Sequence, residues 1–290
     1  MTPLSKDITR FLAAAIAVSL VAAAPAGAAR GGKQEGPSAT VVTGAPVTIA
    51  GQFSAGTASV SCPKGTQATA GGFASTLPTR NAQWIDLYES LRVGTRGWRV
   101  SGVQAHTGSG TLTASAYCEP LKGKLRTRSL NVPLGAVGST ATGLAKCPGG
   151  TKVLSGGFEV PPANATASSY VSRSIAGNGV GWVVDATRLT GAAASLTAFA
   201  YCADVTKIKT RSASAPVLGS SGLAQTATTP VCPKKKPLRG GGFATSTPVN
   251  GLLGSALVYE SRPSGESWLS SAVAGGEPTA STLVTNAYCR

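Results

Sequence analysis

The chain has 290 residues and a formal net charge of +15, with six cysteines and a single histidine, His106. One histidine and the lack of a Cys-x-x-Cys spacing argue against a metal site. A single histidine also limits a histidine-based catalytic arrangement to one at most in the whole chain. The positive charge predicts anionic partners such as wall polymers or acidic glycans, although it could equally serve only to keep the protein soluble.

The N-terminal segment has the three parts of a signal peptide. A basic start precedes an apolar run from Phe11 to Ala24, and small residues suited to cleavage follow at 26–28. The run is about 14 residues long, which is too short for the roughly 20 that a bilayer requires. We therefore predict residues 1–28 as a signal peptide and residues 29–40 as a flexible leader. The mature protein would be secreted or attached to the cell surface, with no transmembrane segment.

Three copies of one pattern fill the rest of the chain, and each copy carries two cysteines. In each copy a Cys-Pro pair is followed by Gly-Gly-Phe, then by a tryptophan, and finally by Ala-Tyr-Cys. The first cysteines of the copies, Cys62, Cys147 and Cys232, are 85 residues apart in both intervals. The spacing predicts three tandem repeats, at residues 41–120, 121–204 and 205–290.

The local pattern within each repeat favours strands over helices. Apolar residues alternate in the closing segments, as at Leu112, Ala114 and Ala116, and such alternation is typical of a half-buried strand. Frequent Gly and Pro turns separate about six short strands per repeat. We predict an all-β fold in which each repeat is a small antiparallel sandwich or open barrel. The short joints between repeats favour packed repeats over free beads, and a pseudo-threefold axis is one way to pack them.

Six cysteines in an exported chain predict disulfides, because the destination is oxidising. Equivalent repeats should pair their cysteines equivalently, which leaves closure within each repeat or a ring that links each repeat to the next. We favour closure within repeats, since one unit could then fold alone and its thin core would need a covalent staple. The favoured pairs are Cys62–Cys118, Cys147–Cys202 and Cys232–Cys289.

The basic residues concentrate in repeats 2 and 3, whose net charges are +5 and +6 against +2 in repeat 1. Charges alternate in the opening strands of these two repeats, which places them on one side of each strand. A lysine-rich turn follows Cys232, with a solvated loop as its alternative role. Clustered Lys and Arg attract phosphate and carboxylate groups, so we predict an anion-binding surface there. The candidate residues are Lys122, Lys124, Arg126, Arg128, Lys207, Lys209, Arg211, Lys234, Lys235, Lys236 and Arg239.

The recurring glycines and tryptophans predict structure rather than chemistry. Each Gly-Gly pair precedes Phe and lacks the Lys and the helix of a phosphate-binding loop, so a bulge or a close approach of two backbones is expected. The tryptophans at one register, Trp98, Trp182 and Trp268, are predicted core residues. Trp84 lies in a stretch peculiar to repeat 1 and is our candidate for an exposed stacking residue, although packing over a sheet edge is the favoured role.

The carboxylates do not form a shared catalytic pattern. Glu89 and Glu260 occupy equivalent places, but repeat 2 has Arg173 there. We therefore predict that these side chains form salt bridges. No catalytic residue, metal ligand or cofactor is assigned.

The set of motifs resembles repeats of uncharacterised exported proteins from high-GC Gram-positive bacteria. The shared elements are Cys-Pro-x-Gly-Thr, Gly-Gly-Phe, Gly-Trp and Tyr-Cys, and they span nearly all of residues 41–290. Repeat 3 departs from them with lysines in its turn and with Ser267-Trp268 in place of Gly-Trp. The resemblance implies an exported all-β protein and transfers no active site.

The leading hypothesis is an exported, non-enzymatic protein that binds anionic or glycan material of the cell envelope. The alternative is a structural or self-assembling protein of the cell surface. An enzyme that uses carboxylates is the least favoured hypothesis, and no specific nucleic-acid partner is expected.

Overall fold

The structure is a computed structural model that describes most of the chain from residue 39 onward. The described residues form nineteen antiparallel strands in three sheets and no helix, which confirms the all-β prediction; a helix able to span a membrane is therefore not found among them. They are 39–76, 84–105, 107–121, 123, 125–161, 169–191, 195–205, 207–218, 224–233, 236–245, 256–274 and 281–290. The predicted signal peptide, the leader up to residue 38, His106, Lys122, Lys124, Lys234 and Lys235 lie outside the described residues.

Each repeat supplies the same succession of strands. Repeat 1 contains β1 (Thr40–Thr43), β2 (Val47–Ala50), β3 (Ala55–Ser61), β4 (Gln67–Ser75), β5 (Ile85–Val93), β6 (Gly97–Gln104) and β7 (Ser109–Glu119). Repeat 2 contains β8 (Arg126–Pro133), β9 (Thr140–Lys146), β10 (Lys152–Glu159), β11 (Ser169–Gly177), β12 (Gly181–Arg188) and β13 (Ser195–Ala203). Repeat 3 contains β14 (Lys209–Val217), β15 (Gln225–Thr228), β16 (Leu238–Thr245), β17 (Ala256–Ser264), β18 (Ser267–Ala274) and β19 (Ser281–Cys289). In repeat 1, β1 and β2 together take the place of the single opening strand.

Every sheet joins half of one repeat to half of another. The strand orders are β1-β7-β4-β17-β18-β15 with β2 also on β7, β3-β6-β5-β10-β13-β8, and β14-β19-β16-β11-β12-β9. Repeat 1 therefore meets repeat 2 where β5 pairs with β10, repeat 2 meets repeat 3 where β11 pairs with β16, and repeat 3 meets repeat 1 where β17 pairs with β4. We call these contacts the first, second and third junctions. They close the three repeats into a ring within one compact unit.

The junctions share one register, which gives the ring its pseudo-threefold arrangement. Phe158 pairs with Ser90 at the first junction, and the phenylalanines of the other two Gly-Gly-Phe motifs pair with the equivalent serines. The three phenylalanine rings meet at the centre. Phe73 lies edge-on to Phe158 and Phe243, with ring centroids 6.5 and 5.9 Å apart, a favourable aromatic geometry.

The Gly-Gly pairs allow two close approaches, as the sequence predicts. A Cβ atom on Gly71 would overlap the Trp98 ring of the same repeat, and one on Gly72 would overlap the backbone of Ser261 in the neighbouring repeat. The other two copies repeat both contacts. The first glycine thus leaves room for the tryptophan of its own repeat, and the second lets a strand of a neighbouring repeat approach.

The predicted core tryptophans are buried, and each one has its polar atom satisfied. Trp98 is 1% exposed, and its Nε1 donates a hydrogen bond to Ser90 Oγ at 3.1 Å. Trp182 and Trp268 donate to the equivalent serines at 2.9 Å. The serine before each Trp strand is therefore part of the core.

The disulfides close within repeats, as predicted. The bonds are Cys62–Cys118, Cys147–Cys202 and Cys232–Cys289. In repeat 1, Cys62 follows β3 and Cys118 lies in β7, two strands of different sheets, so the bond ties the two layers of the sandwich together. In the chain-entropy model a loop of this length contributes about 4 kcal/mol. Each repeat is thus a small sandwich, but both of its layers continue into neighbouring repeats, which the sequence did not predict.

Candidate anion-binding groove

An open groove of about 630 Å³ lies at the second junction. Its walls are the start of β10, the turn between β11 and β12, the start of β14 and the end of β19. The volume lies within the range of roughly 300–1,000 Å³ that is usual for ligand sites. The groove is therefore large enough for one or a few sugar-sized units.

Three exposed lysines surround the groove. Lys152 begins β10, Lys207 lies two residues before β14, and Lys209 begins β14. None of them forms an ion pair with a residue that the structure describes, and none of the described lining residues is acidic. The positive charge is therefore not neutralised locally, so the groove favours phosphate or carboxylate groups.

The floor of the groove is a fixed hydrogen-bonded layer. Tyr288 Oη accepts a hydrogen bond from the backbone N–H of Ala176 at 2.7 Å, and its ring lies edge-on to Trp182 at 5.7 Å. Burial raises the pKa of Tyr288, so its hydroxyl stays protonated at neutral pH. Beside it, Ser212 Oγ donates to Asn286 Oδ1 at 2.6 Å. The groove is therefore built on a rigid base.

The equivalent place at the first junction is filled by the protein's own side chains. Arg92 stands where repeat 2 has Ala176, since each lies two residues after the serine that binds the core tryptophan. The Arg92 guanidinium donates to Gln67 Oε1 at 3.2 Å and to the carbonyl oxygen of Thr95 at 2.8 Å. Gln67 Nε2 in turn donates to the carbonyl oxygen of Gly123 at 2.5 Å. The small side chain of Ala176 leaves the corresponding space open at the second junction.

The third junction differs in its backbone. Pro263 stands at the position of Arg92 and Ala176, and proline has no N–H to donate. Consistently, the buried Tyr117 hydroxyl has no hydrogen-bond partner among the described residues. Burial and the nearby carboxylate of Glu266 raise the pKa of Tyr117 to about 12. A carboxylate near this junction makes it a poor place for an anion.

Arg239 belongs to this third junction and not to an anion-binding surface, which corrects its assignment from the sequence. Its guanidinium forms an ion pair with Glu119 of repeat 1, and the two side chains are only 16% and 1% exposed. Burial lowers the pKa of Arg239. The pair links repeat 3 to repeat 1 and so helps to close the ring.

The structure brings together only part of the basic set predicted from the sequence. Lys207 and Lys209 line the groove, and the sequence missed Lys152, which joins them from repeat 2. Arg126, Arg128 and Arg211 are exposed on the edge strands β8 and β14 but do not line it, and charges on edge strands also discourage sheet-to-sheet aggregation. Lys236 is half-buried in its turn. Of its neighbours, Lys234 and Lys235 lie outside the described residues, so an anion-binding role for this turn stays a prediction.

Trp84 packs over neighbouring strands and is not an exposed stacking platform, which agrees with the favoured role and corrects the stacking candidate. Its ring is half-buried and packs against Tyr170, Leu257 and Val273. Its side chain also hydrogen-bonds to Asp86. Trp84 thus covers residues of β11, β17 and β18 from the other two repeats.

The carboxylates singled out in the sequence form ion pairs, as predicted. Glu89 pairs with Arg99, and Glu260 pairs with Arg262 at 2.7 Å. Repeat 2 reverses the order of charge, because Arg173 pairs there with Asp185 at 2.7 Å. Among the described residues, no three His, Cys, Asp or Glu side chains are grouped to hold a metal ion.

Comparison with known proteins adds no chemistry to this geometry. The sequence matches no protein-family model and no curated protein.

Proposed function

We propose that the protein is an exported, non-enzymatic binding protein that holds an anionic polymer of sugar or polyol units in the groove at the second junction. The observation that carries the proposal is the convergence of Lys152, Lys207 and Lys209 on one open groove with no acidic lining residue. Lysines suit such a ligand because each is a flexible point charge that can follow phosphates or carboxylates along a chain.

The surroundings of the groove favour a polymer over a small isolated anion. Arg211 is exposed on the same strand as Lys209, so positive charge continues along β14 beyond the groove. Repeats 2 and 3 carry net charges of +5 and +6. A chain that leaves the groove would therefore still pass over a positive surface, which also speeds association.

The polar lining fits units that carry hydroxyl groups. Asn178 and Thr210 line the groove beside the lysines and offer hydrogen-bonding groups for sugars or polyols. Glu89, Asp185 and Glu260 are engaged in ion pairs, which supports binding over acid-base catalysis. The cell envelope is the proposed location, in keeping with the predicted signal peptide and with the three disulfides.

A charge-matched pair of variants tests the proposal. The groove variant carries Lys152→Gln, Lys207→Gln and Lys209→Gln. The control variant carries Lys64→Gln, Arg126→Gln and Arg128→Gln, which removes three exposed charges elsewhere. The probe is a fluorescent oligomer of glycerol phosphate at low salt, with affinity measured by anisotropy.

We expect the groove variant to bind at least about tenfold more weakly than wild type, because a charge-assisted hydrogen bond contributes roughly 1.5–3 kcal/mol. The control variant should lose about threefold or less, since its charges act only at a distance. Equal losses in the two variants would show that net charge alone drives binding. No binding by the wild type would refute the function for this polymer class.

A further inference from the structure

A second cavity, of about 30 Å³, lies on the pseudo-threefold axis. The rings of Phe73, Phe158 and Phe243 line it, and the first residues of β5, β11 and β17 form its walls. The cavity is partly open to solvent. Because all three repeats contribute to it, it exists only when the ring is closed.

The three equivalent wall positions hold chemically different residues. Asp86, Tyr170 and Leu257 each lie four residues before the serine that binds the core tryptophan. The Tyr170 hydroxyl donates to the carbonyl oxygen of Ala256 and also contacts Thr245 Oγ1. Its hydrogen-bonding capacity is therefore used within the wall. Repeat 1 alone provides a carboxyl group among the described lining residues.

That carboxyl group has no cation opposite it in the described lining. The described part of the lining contains no Lys, Arg or His, and the side chain of Trp84 hydrogen-bonds to Asp86. Burial raises the pKa of Asp86 to about 7, although the hydrogen bond from Trp84 opposes the shift. The other titratable groups that face the cavity are Tyr170 and Tyr259, whose pKa values burial also raises, so both stay neutral.

The chemistry of the walls selects a small cation. A ligand that brings a positive charge would relieve the cost of the isolated carboxylate, and aromatic ring faces attract cations as well. The volume admits one or two groups the size of water, because a water needs about 10–15 Å³ measured in this way. A primary ammonium group is about as large as water, whereas a trimethylammonium group is much larger.

We propose that the axial cavity binds a primary ammonium group, such as that of an alkylamine or an amino sugar, with Asp86 as its counter-charge and Trp84 as an aromatic wall. The site is separate from the basic groove and does not depend on the function proposed for it. The carboxylate must be ionised to bind the cation, so affinity should rise with pH through about 7.

The test uses the mature chain and compares n-propylammonium with the neutral n-propanol. The readout is the NMR shift of the Trp84 indole N–H, since the other three tryptophans are buried in the core. We expect saturable shifts with n-propylammonium only, with affinity at least about tenfold higher at pH 8 than at pH 5.5, because a group of pKa about 7 is mostly protonated at the lower pH.

The variant Asp86→Asn keeps the shape of the side chain and removes its charge. It should abolish the response to n-propylammonium, and the groove variant Lys152→Gln, Lys207→Gln, Lys209→Gln should leave the response intact. A pH-independent response, equal shifts with n-propanol, retained binding in Asp86→Asn or no response in wild type would each overturn the proposal.

Discussion

The first and second junctions are built from equivalent strands and an equivalent buried hydrogen bond, yet the space beside the first is filled and that beside the second is open. At the first, Tyr201 Oη accepts from the backbone N–H of Arg92 at 2.7 Å, and at the second, Tyr288 does the same with Ala176. The two junctions differ in the side chain of the residue that donates this bond. The Arg92 side chain fills its junction, whereas the small Ala176 side chain leaves a groove. A repeated fold can thus keep its core fixed while one half-buried position decides whether a junction is filled or open.

The third junction has a third kind of residue at the position of Arg92 and Ala176. Pro263 removes the backbone donor, and the ion pair of Arg239 with Glu119 crosses from repeat 3 to repeat 1. The ring is therefore closed at this junction by a charged contact in addition to the paired strands. The three junctions should respond differently to matched substitutions.

The largest effect is expected from breaking the ion pair at the third junction. Glu119→Ala should lower the free energy of unfolding by about 3–5 kcal/mol, because it leaves the guanidinium of Arg239 buried and unpaired. The double variant Glu119→Leu, Arg239→Leu should recover much of the loss, since it removes both charges. Urea unfolding measures both variants. A cost below about 1 kcal/mol for Glu119→Ala would contradict a structural role for the pair.

A smaller effect on stability is expected when the equivalent tyrosine of each junction is replaced by phenylalanine. Tyr201→Phe and Tyr288→Phe should each cost about 1–3 kcal/mol, because each leaves a backbone N–H without its acceptor. Tyr117→Phe should change stability by less than about 0.5 kcal/mol or increase it, since its hydroxyl has no described partner to lose. The measurement is again urea unfolding. Three equal costs would mean that Pro263 does not distinguish the third junction.

The smallest effect concerns the open space itself. Ala176→Met should narrow the groove at the second junction and weaken binding of the glycerol phosphate oligomer by about three- to tenfold, without removing any charge. Its counterpart Arg92→Ala should leave that binding within about twofold of wild type, because it changes the first junction only. Anisotropy titrations compare the two. If Arg92→Ala weakened binding more than Ala176→Met does, the binding site would lie at the first junction and not at the second.

The strands, the disulfides and the core tryptophans could be predicted from the sequence because the sequence repeats. Alternation located the strands, equivalence of the copies reduced the disulfide choices to two, and the tryptophans at one register indicated core positions. The Gly-Gly pairs predicted a close approach but not its partner. Nothing in the local pattern of β4 tells that it pairs with β17 of repeat 3 in addition to β7 of its own repeat.

The site was harder to predict because its residues meet only through these pairings. Lys152 follows a turn in repeat 2 and pairs with Ala203 at the end of β13, so the link from β13 into repeat 3 places Lys207 beside it. The opening strand of repeat 3, β14, is also shifted in register relative to its equivalent in repeat 2, β8. Ala215 pairs with Leu283, whereas Val132 pairs with the equivalent Leu196, so a fixed interval of 85 residues misaligns this strand by two residues. The likeness to exported repeat proteins and the export of this chain stay predictions.

The salt dependence of polymer binding tests the central claim most directly. For wild type, the groove variant and the control variant, the logarithm of the affinity for the glycerol phosphate oligomer is plotted against the logarithm of the salt concentration. The account predicts a negative slope for wild type that the groove variant reduces by about 2, since each neutralised phosphate of a flexible polyanion contributes roughly 0.7. The control variant should keep most of the wild-type slope. Equal slopes for the groove and control variants would contradict a binding site at the second junction.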